Sequence, residues 1–278
     1  MRFVKGHGTQ NDFVILPDHE GDLDPSPSLV AALCDRRAGI GADGVLRVVR
    51  TKAAGEPALG DAEWFMDYRN ADGGVAEMCG NGVRVFARYL VDAGLAAPGE
   101  WDIATRAGLK RVTLGASGDV SVDMGPPEVL GDGSAVVAGR AYDGLRVSMG
   151  NPHLACLVTD RPVTALDLTG APRFDREVFP DGVNVELYQA LGERHVGMRV
   201  YERGSGETRS CGTGAVATAV AAASLSAAED GPLMGEWTVD VLGGRLTVTL
   251  DERTSHLRGP AVLVAEGEIR PGWPGARA

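Results

Sequence analysis

Two cysteines in this sequence stand in the same chemical setting. Cys79 opens the run Cys79-Gly80-Asn81-Gly82, Cys211 opens Cys211-Gly212-Thr213-Gly214, and an apolar stretch at helical spacing follows each. A cysteine just before a helix lies in the positive field of backbone N–H groups that have no partner within the helix. That field favours the thiolate. The glycines let the backbone come close to a bound anion, which the N–H groups can grip as a carboxylate. Those bonds strengthen when the neighbouring carbon loses its proton and charge moves onto the carboxylate. Two such loops, one on each face of a single α-carbon, could remove a proton from one side and return one to the other. This chemistry requires no metal and no cofactor.

The other two cysteines serve as internal controls. Cys34 lies in Leu29-Val30-Ala31-Ala32-Leu33-Cys34 and Cys156 in Leu154-Ala155-Cys156-Leu157-Val158, both read as core. No Cys-x-x-Cys pair is present and no zinc-ligand spacing, so neither a structural zinc nor a disulfide framework is expected. Either Cys-Gly-x-Gly taken alone suits a structural role as readily as a chemical one. No P-loop lysine follows the glycines, and a dinucleotide fingerprint is missing. The matched pair is what points to chemistry.

The elements that must position the thiols come in two copies. Met66 to Gly82 laid over Met198 to Gly214 matches Met, Gly74 with Gly206, Cys, Gly and Gly without gaps. Asn11-Asp12-Phe13 echoes Asn151-Pro152-His153, and Asp43-Gly44-Val45 echoes Asp181-Gly182-Val183, at nearly the same separation. Alternation at Val120, Val122 and Met124 and at Leu246, Val248 and Leu250 predicts half-buried strands. Helices are predicted over Leu29 to Cys34, Val83 to Ala93 and Ala215 to Ala227. The reading is a duplicated α/β unit with mixed sheets.

Composition bounds the remainder. The chain has 278 residues, 44% hydrophobic and 23% charged, as in ordinary globular proteins. A net charge of −11 with no basic cluster argues against nucleic acid and anionic membranes as partners. The N-terminus has no apolar leader pattern and no run spans a bilayer, so a cytoplasmic location is expected. A homodimer is expected from the general habit of soluble enzymes.

The ordered set of motifs resembles diaminopimelate epimerases. It comprises residues 7–13 (His-Gly-Thr-Gln-Asn-Asp-Phe), 35–44, 70–73, 78–82, 150–153, 179–184 and 202–214, along nearly the whole chain. The resemblance implies interconversion of LL- and meso-diaminopimelate for lysine and peptidoglycan precursors. It implies two pseudo-symmetric domains, each a sheet wrapped around a central helix, with the active site in the cleft between them. Their expected bounds are 1–124 plus 261–278, and 125–260. By the matching motifs Cys79 and Cys211 are the acid/base pair, and Gly80, Asn81, Gly212 and Thr213 grip the reacting carboxylate. Asn11, Asn70, Asn151, Asn184, Glu202 and Arg203 hold the substrate, a small molecule with an amino-acid head at each end, and His153 supports the thiols. One departure stands out: Gly44 occupies a position where many relatives carry Gln, leaving a neighbouring group or a water to take its place.

Three other readings fit these residues less well. A proline-racemase-like enzyme also uses two Cys-Gly loops, but gives Glu202-Arg203, Asn70 and Asn184 no distal group to bind. Phenazine-biosynthesis isomerases of this fold use other acid/base groups. A non-catalytic binder or redox sensor would exchange no α-proton.

Overall fold

The computed structural model describes residues 1–56, 60–116, 118–226 and 234–273. The chain divides into two compact units, Met1–Val122 with Pro260–Ala278, and Asp123–Gly259. In the first unit the strands are β1 (Arg2–Gly8), β2 (Asn11–Pro17), β3 (Gly44–Arg50), β4 (Trp64–Asn70), β5 (Gly99–Thr105), β6 (Gly108–Leu114) and β7 (Val120–Gly125). Its helices are α1 (Pro27–Cys34) and α2 (Gly80–Asp92), and β7 carries the chain into the second unit. There the strands are β8 (Glu128–Val137), β9 (Arg140–Ser148), β10 (Pro152–Leu157), β11 (Arg173–Phe174), β12 (Asn184–Gly192), β13 (His195–Glu202) and β14 (Gly206–Thr208). Helix α3 (Gly212–Ser226) and strands β15 (Gly235–Val241), β16 (Gly244–Leu250) and β17 (Ser255–Gly259) complete it. Strand β18 (Val262–Glu268) then pairs antiparallel with β1. The helix expected to reach Ala227 is described through Ser226; Ala227 lies outside the described residues.

The two units repeat one topology. In the first, β1–β2 is antiparallel, β2–β3 parallel, β3–β4 antiparallel, β4–β5 parallel, and β5–β6 and β6–β7 antiparallel. In the second, β9–β10, β10–β12, β12–β13, β13–β15, β15–β16 and β16–β17 follow the same directions in the same order. An outer antiparallel strand completes each sheet, β18 on β1 and β8 on β9.

Each sheet wraps its own helix. Helix α2 touches β1, β2, β3, β4, β6 and β18, and α3 touches β9, β10, β12, β13, β15, β16 and β17. Sequence explains both arrangements. The α3 run is mostly alanine with valine and glycine, apolar on every side, and is buried from Gly214 to Ala223. Small side chains allow strands to close around it. Helix α2 buries Val83, Val85, Phe86 and Leu90, and with them a single cation, Arg84. The alternation read at Val120, Val122 and Met124 appears as alternating burial along β7.

Strand pairing corrects one part of the sequence repeat. Phe13 pairs with Gly44 across β2 and β3, and His153 pairs with Asn184 across β10 and β12. The counterpart of Gly44 is therefore Asn184, two positions beyond the Gly182 of the sequence echo. Val45 opposite Arg69 and Val185 opposite Tyr201 then bring Cys79 and Cys211 into register. A short motif match cannot fix a strand register, which hydrogen bonding across the ladder does.

Candidate active site

Both sulfurs cap their own helices in the same way. Cys79 is the N-cap of α2, with extended backbone, and its Sγ accepts from the Gly82 N–H at 3.4 Å. The Gly214 N–H donates to Cys211 Sγ at the same 3.4 Å. The carbonyl of each cysteine takes the first helical bond, from Val83 at 2.8 Å and from Ala215 at 3.0 Å. A side-chain acceptor on the third N–H of a helix is the standard N-cap arrangement. Here that acceptor is sulfur.

Around Cys79 the first unit gathers Asn11, Asn81 and Arg84. Asn11 follows a two-residue turn in which Thr9 and Gln10 both have positive φ, 49° and 63°. That conformation suits a tight hairpin but is strained for threonine. Arg84 holds the turn by donating from Nη2 to Thr9 Oγ1 at 3.1 Å. Asn11 Oδ1 then accepts from Asn81 Nδ2 at 3.1 Å and from Cys79 Sγ at 3.7 Å, while its Nδ2 donates to Asp43 at 2.8 Å. The Arg84 guanidinium is fully buried, burial lowers its pKa to about 10, and the Cys79 thiolate is the largest charge acting to keep it protonated. The attraction works in both directions, so the guanidinium favours the thiolate.

Asn70 closes β4. Its Oδ1 accepts from the Tyr68 hydroxyl at 2.9 Å. The same ring explains Gly44: a Cβ there would lie 2.8 Å from Tyr68 Cε2 and 2.6 Å from the Arg69 carbonyl oxygen. Tyr68 thus fills the space beside Gly44.

Around Cys211 the second unit gathers Thr213, Asn151, His153 and Glu202. Cys211 Sγ lies 3.5 Å from Thr213 Oγ1, and Asn151 Nδ2 donates to that hydroxyl at 3.4 Å. Glu202 accepts from the Cys211 thiol and from the Thr208 hydroxyl. Asn184 accepts from the Arg203 backbone N–H at 2.9 Å and donates to the Pro152 carbonyl at 3.2 Å. The Arg203 side chain is exposed, and its stem covers Gly182.

Burial and two carboxyls act on the Cys211 thiol. Burial pushes the Cys211 pKa well above the ordinary thiol range, and the Glu202 and Glu186 carboxyls add to it; the Thr213 and Gly214 hydrogen bonds act the other way and lose. At Cys211 burial therefore outweighs the helix N–H that favours a thiolate. Burial likewise pushes Cys34 and Cys156 up to about 12.

Two residues, one near each thiol in its own unit, carry no motif in the sequence. Arg84 interrupts the apolar run Val83-Arg84-Val85-Phe86, and its place in the helical period was the available signal. Glu186 is fully buried, with Oε1 2.7 Å from His153 Nδ1. It sits among Val185, Leu187 and Tyr188 on a strand buried on both faces, where strand pattern alone gives no hint of a carboxyl.

The family model and the sequence relatives agree on one assignment. The family model described as Diaminopimelate epimerase matches residues 3–130 and 145–269. A diaminopimelate epimerase from Thermobifida fusca is 58% identical, with 97% of this chain and 98% of the relative covered. One from Mycolicibacterium smegmatis is 52% identical, with 98% of each chain covered. Among solved structures, a probable proline racemase from Agrobacterium radiobacter superposes with a TM-score of 0.68 at 14% identity, over 97% of this chain and 92% of that one. A phenazine biosynthesis protein from Bacillus anthracis gives 0.65 at 16%, over 98% and 99%. At that identity the two structures share the fold alone.

Proposed function

The chain belongs to the diaminopimelate epimerase family, and from that premise we propose how it interconverts LL- and meso-2,6-diaminopimelate, in lysine and peptidoglycan-precursor biosynthesis. The observation that carries the reading is the matched capping geometry, in which each of two sulfurs accepts from the third N–H of its own helix at 3.4 Å.

In one direction a cysteine thiolate takes the α-proton of the substrate, and the bonding pair moves toward the adjoining carboxylate. Backbone N–H groups at Gly80 and Asn81 and at Gly212 and Thr213 grip that carboxylate and stabilise the developing charge. The other cysteine then gives its S–H proton to the opposite face. The first sulfur ends as thiol and the second as thiolate, so the reverse reaction begins with the roles exchanged. The scheme uses neither metal nor pyridoxal. It requires both sulfurs to reach one carbon.

The distal amino-acid head falls to Asn11, Asn70, Asn151, Asn184, Glu202 and Arg203. An arginine suits a carboxylate, while carboxylate and amide oxygens accept from an ammonium. His153 supports the Cys211 side. We further propose a cytoplasmic homodimer, which sedimentation of the purified protein and cell fractionation test.

Proton NMR in heavy water tests the reaction. Incubation with LL-diaminopimelate is expected to erase the α-proton signal and produce the meso isomer, leaving L-proline untouched. Cys79→Ala and Cys211→Ala are each expected to abolish inversion. Full activity in either variant overturns the two-thiol scheme.

A further inference from the structure

We propose that Glu186 is a positioning residue for the Cys211 thiol, acting through His153 and Asn151. The inference deepens the two-thiol reading above and rests on it.

An unbroken chain of polar contacts runs from the carboxyl to the sulfur. Glu186 Oε1 lies 2.7 Å from His153 Nδ1, and His153 Nε2 lies 3.1 Å from Asn151 Oδ1. Asn151 Nδ2 donates to Thr213 Oγ1 at 3.4 Å, which is 3.5 Å from Cys211 Sγ. The donors and acceptors fix the sense of this chain. With its NH₂ directed at Thr213, Asn151 offers only its oxygen to His153, so His153 Nε2 must carry a proton. One more proton is shared between Nδ1 and Glu186. Whichever atom holds it, the pair is neutral overall, as a fully buried site demands. Thr213 Oγ1 accepts from Asn151, and its own hydrogen is left to point at the sulfur.

Glu186 also packs beneath the loop itself. A Cβ on Gly214 would stand 2.6 Å from Glu186 Oε1 and 3.2 Å from Cys211 Cβ. The remaining oxygen, Oε2, is buried without a hydrogen-bond partner among the described residues. Burial accordingly raises the Glu186 pKa. The groups that face the pair include Glu202, Cys211 and Cys156.

The first unit shows what the device adds. By strand register, Phe13 is the counterpart of His153 and Leu46 that of Glu186. There the Asn11 amide faces the other way, its oxygen toward Cys79 and its NH₂ toward Asp43. Two asparagines at one place in the repeat thus turn opposite ends toward their Cys-Gly-x-Gly loops, Asn11 its oxygen to Cys79 and Asn151 its NH₂ to Thr213. His153 and Glu186 hold Asn151 in its sense.

Nitrogen-15 NMR of the wild-type enzyme and steady-state kinetics of two variants test this. His153 Nε2 is expected to carry a proton and donate it to Asn151; a bare Nε2 overturns the proposal without reference to any substrate. Glu186→Leu, which installs the first unit's residue, is expected to lower kcat for diaminopimelate roughly ten- to a hundredfold with KM moved less than about threefold. Glu186→Gln, whose NH₂ can donate to Nδ1, is expected to recover most of that rate. Wild-type kcat in Glu186→Leu, or equal loss in both variants, overturns it. Should Glu186→Leu not fold, the NMR signature and the Glu186→Gln rate still decide. Failure of the wild-type enzyme to invert diaminopimelate would instead count against the underlying reading.

Discussion

A sulfur that accepts a helix N–H, with a buried guanidinium behind it, is a different nucleophile from one beside two carboxyls. Cys79 has the first setting and Cys211 the second. Under native conditions iodoacetamide is expected to modify Cys79 first, while Cys34 and Cys156 stay unmodified, because the thiolate reacts and burial withholds it from the latter two. Peptide mass mapping after brief labelling reads the order; early modification of Cys34 or Cys156 would contradict it. Arg84→Met is expected to slow Cys79 alkylation by roughly tenfold through loss of the guanidinium's field. An unchanged rate would reduce Arg84 to an anchor for the Thr9 turn. At this scale the two helix-capping cysteines were legible in the sequence, because Cys-Gly-x-Gly announces its own geometry. Arg84 and Glu186 were not, because their burial comes from elements distant along the chain.

At the scale of elements, the two helix starts look alike in sequence but tolerate change differently. A Cβ at Gly82 would meet the end of the Leu46 side chain at 3.2 Å, which can shift. At Gly214 it would meet Glu186 Oε1 at 2.6 Å, within a pair that cannot. Gly82→Ala is expected to change stability by less than about 1 kcal/mol, and Gly214→Ala to cost about 1–3 kcal/mol. Urea denaturation measures both; equal effects would contradict the asymmetry. Strand β2 carries a second test. Burial alone would raise the Asp12 pKa, but hydrogen bonds from Arg36 and Lys5 prevail and hold it at about 2. A folded pKa below the unfolded one stabilises the protein at neutral pH, and that share is lost as pH falls through about 4 toward 2. Asp12→Asn is expected to cost about 2 kcal/mol at neutral pH and almost nothing at the acid end, read by denaturation at both. Helix and strand positions were legible from periodicity. The alignment of β3 with its counterpart β12 was not, since a two-residue slip leaves the apolar pattern unchanged.

For the whole molecule, the duplication of one unit is the feature that sequence anticipated best, because the gapless match around the cysteines points to it. A reaction that needs both sulfurs at one carbon also exposes them to a shared fate. In air, oxygen is expected to join Cys79 to Cys211 with loss of the two thiol hydrogens, abolishing activity until dithiothreitol restores it. Intact mass with tryptic mapping tests this, and a preparation active for days in air with both thiols free would count against it. Chain order adds one more consequence. Strand β18 completes the sheet of the first unit by pairing with β1, whereas the second unit is a continuous segment, Asp123–Gly259. During synthesis the later half can therefore close its sheet while the earlier half still waits, one border of β1 open to solvent and to stray strands. The half made first on the ribosome is the half finished last.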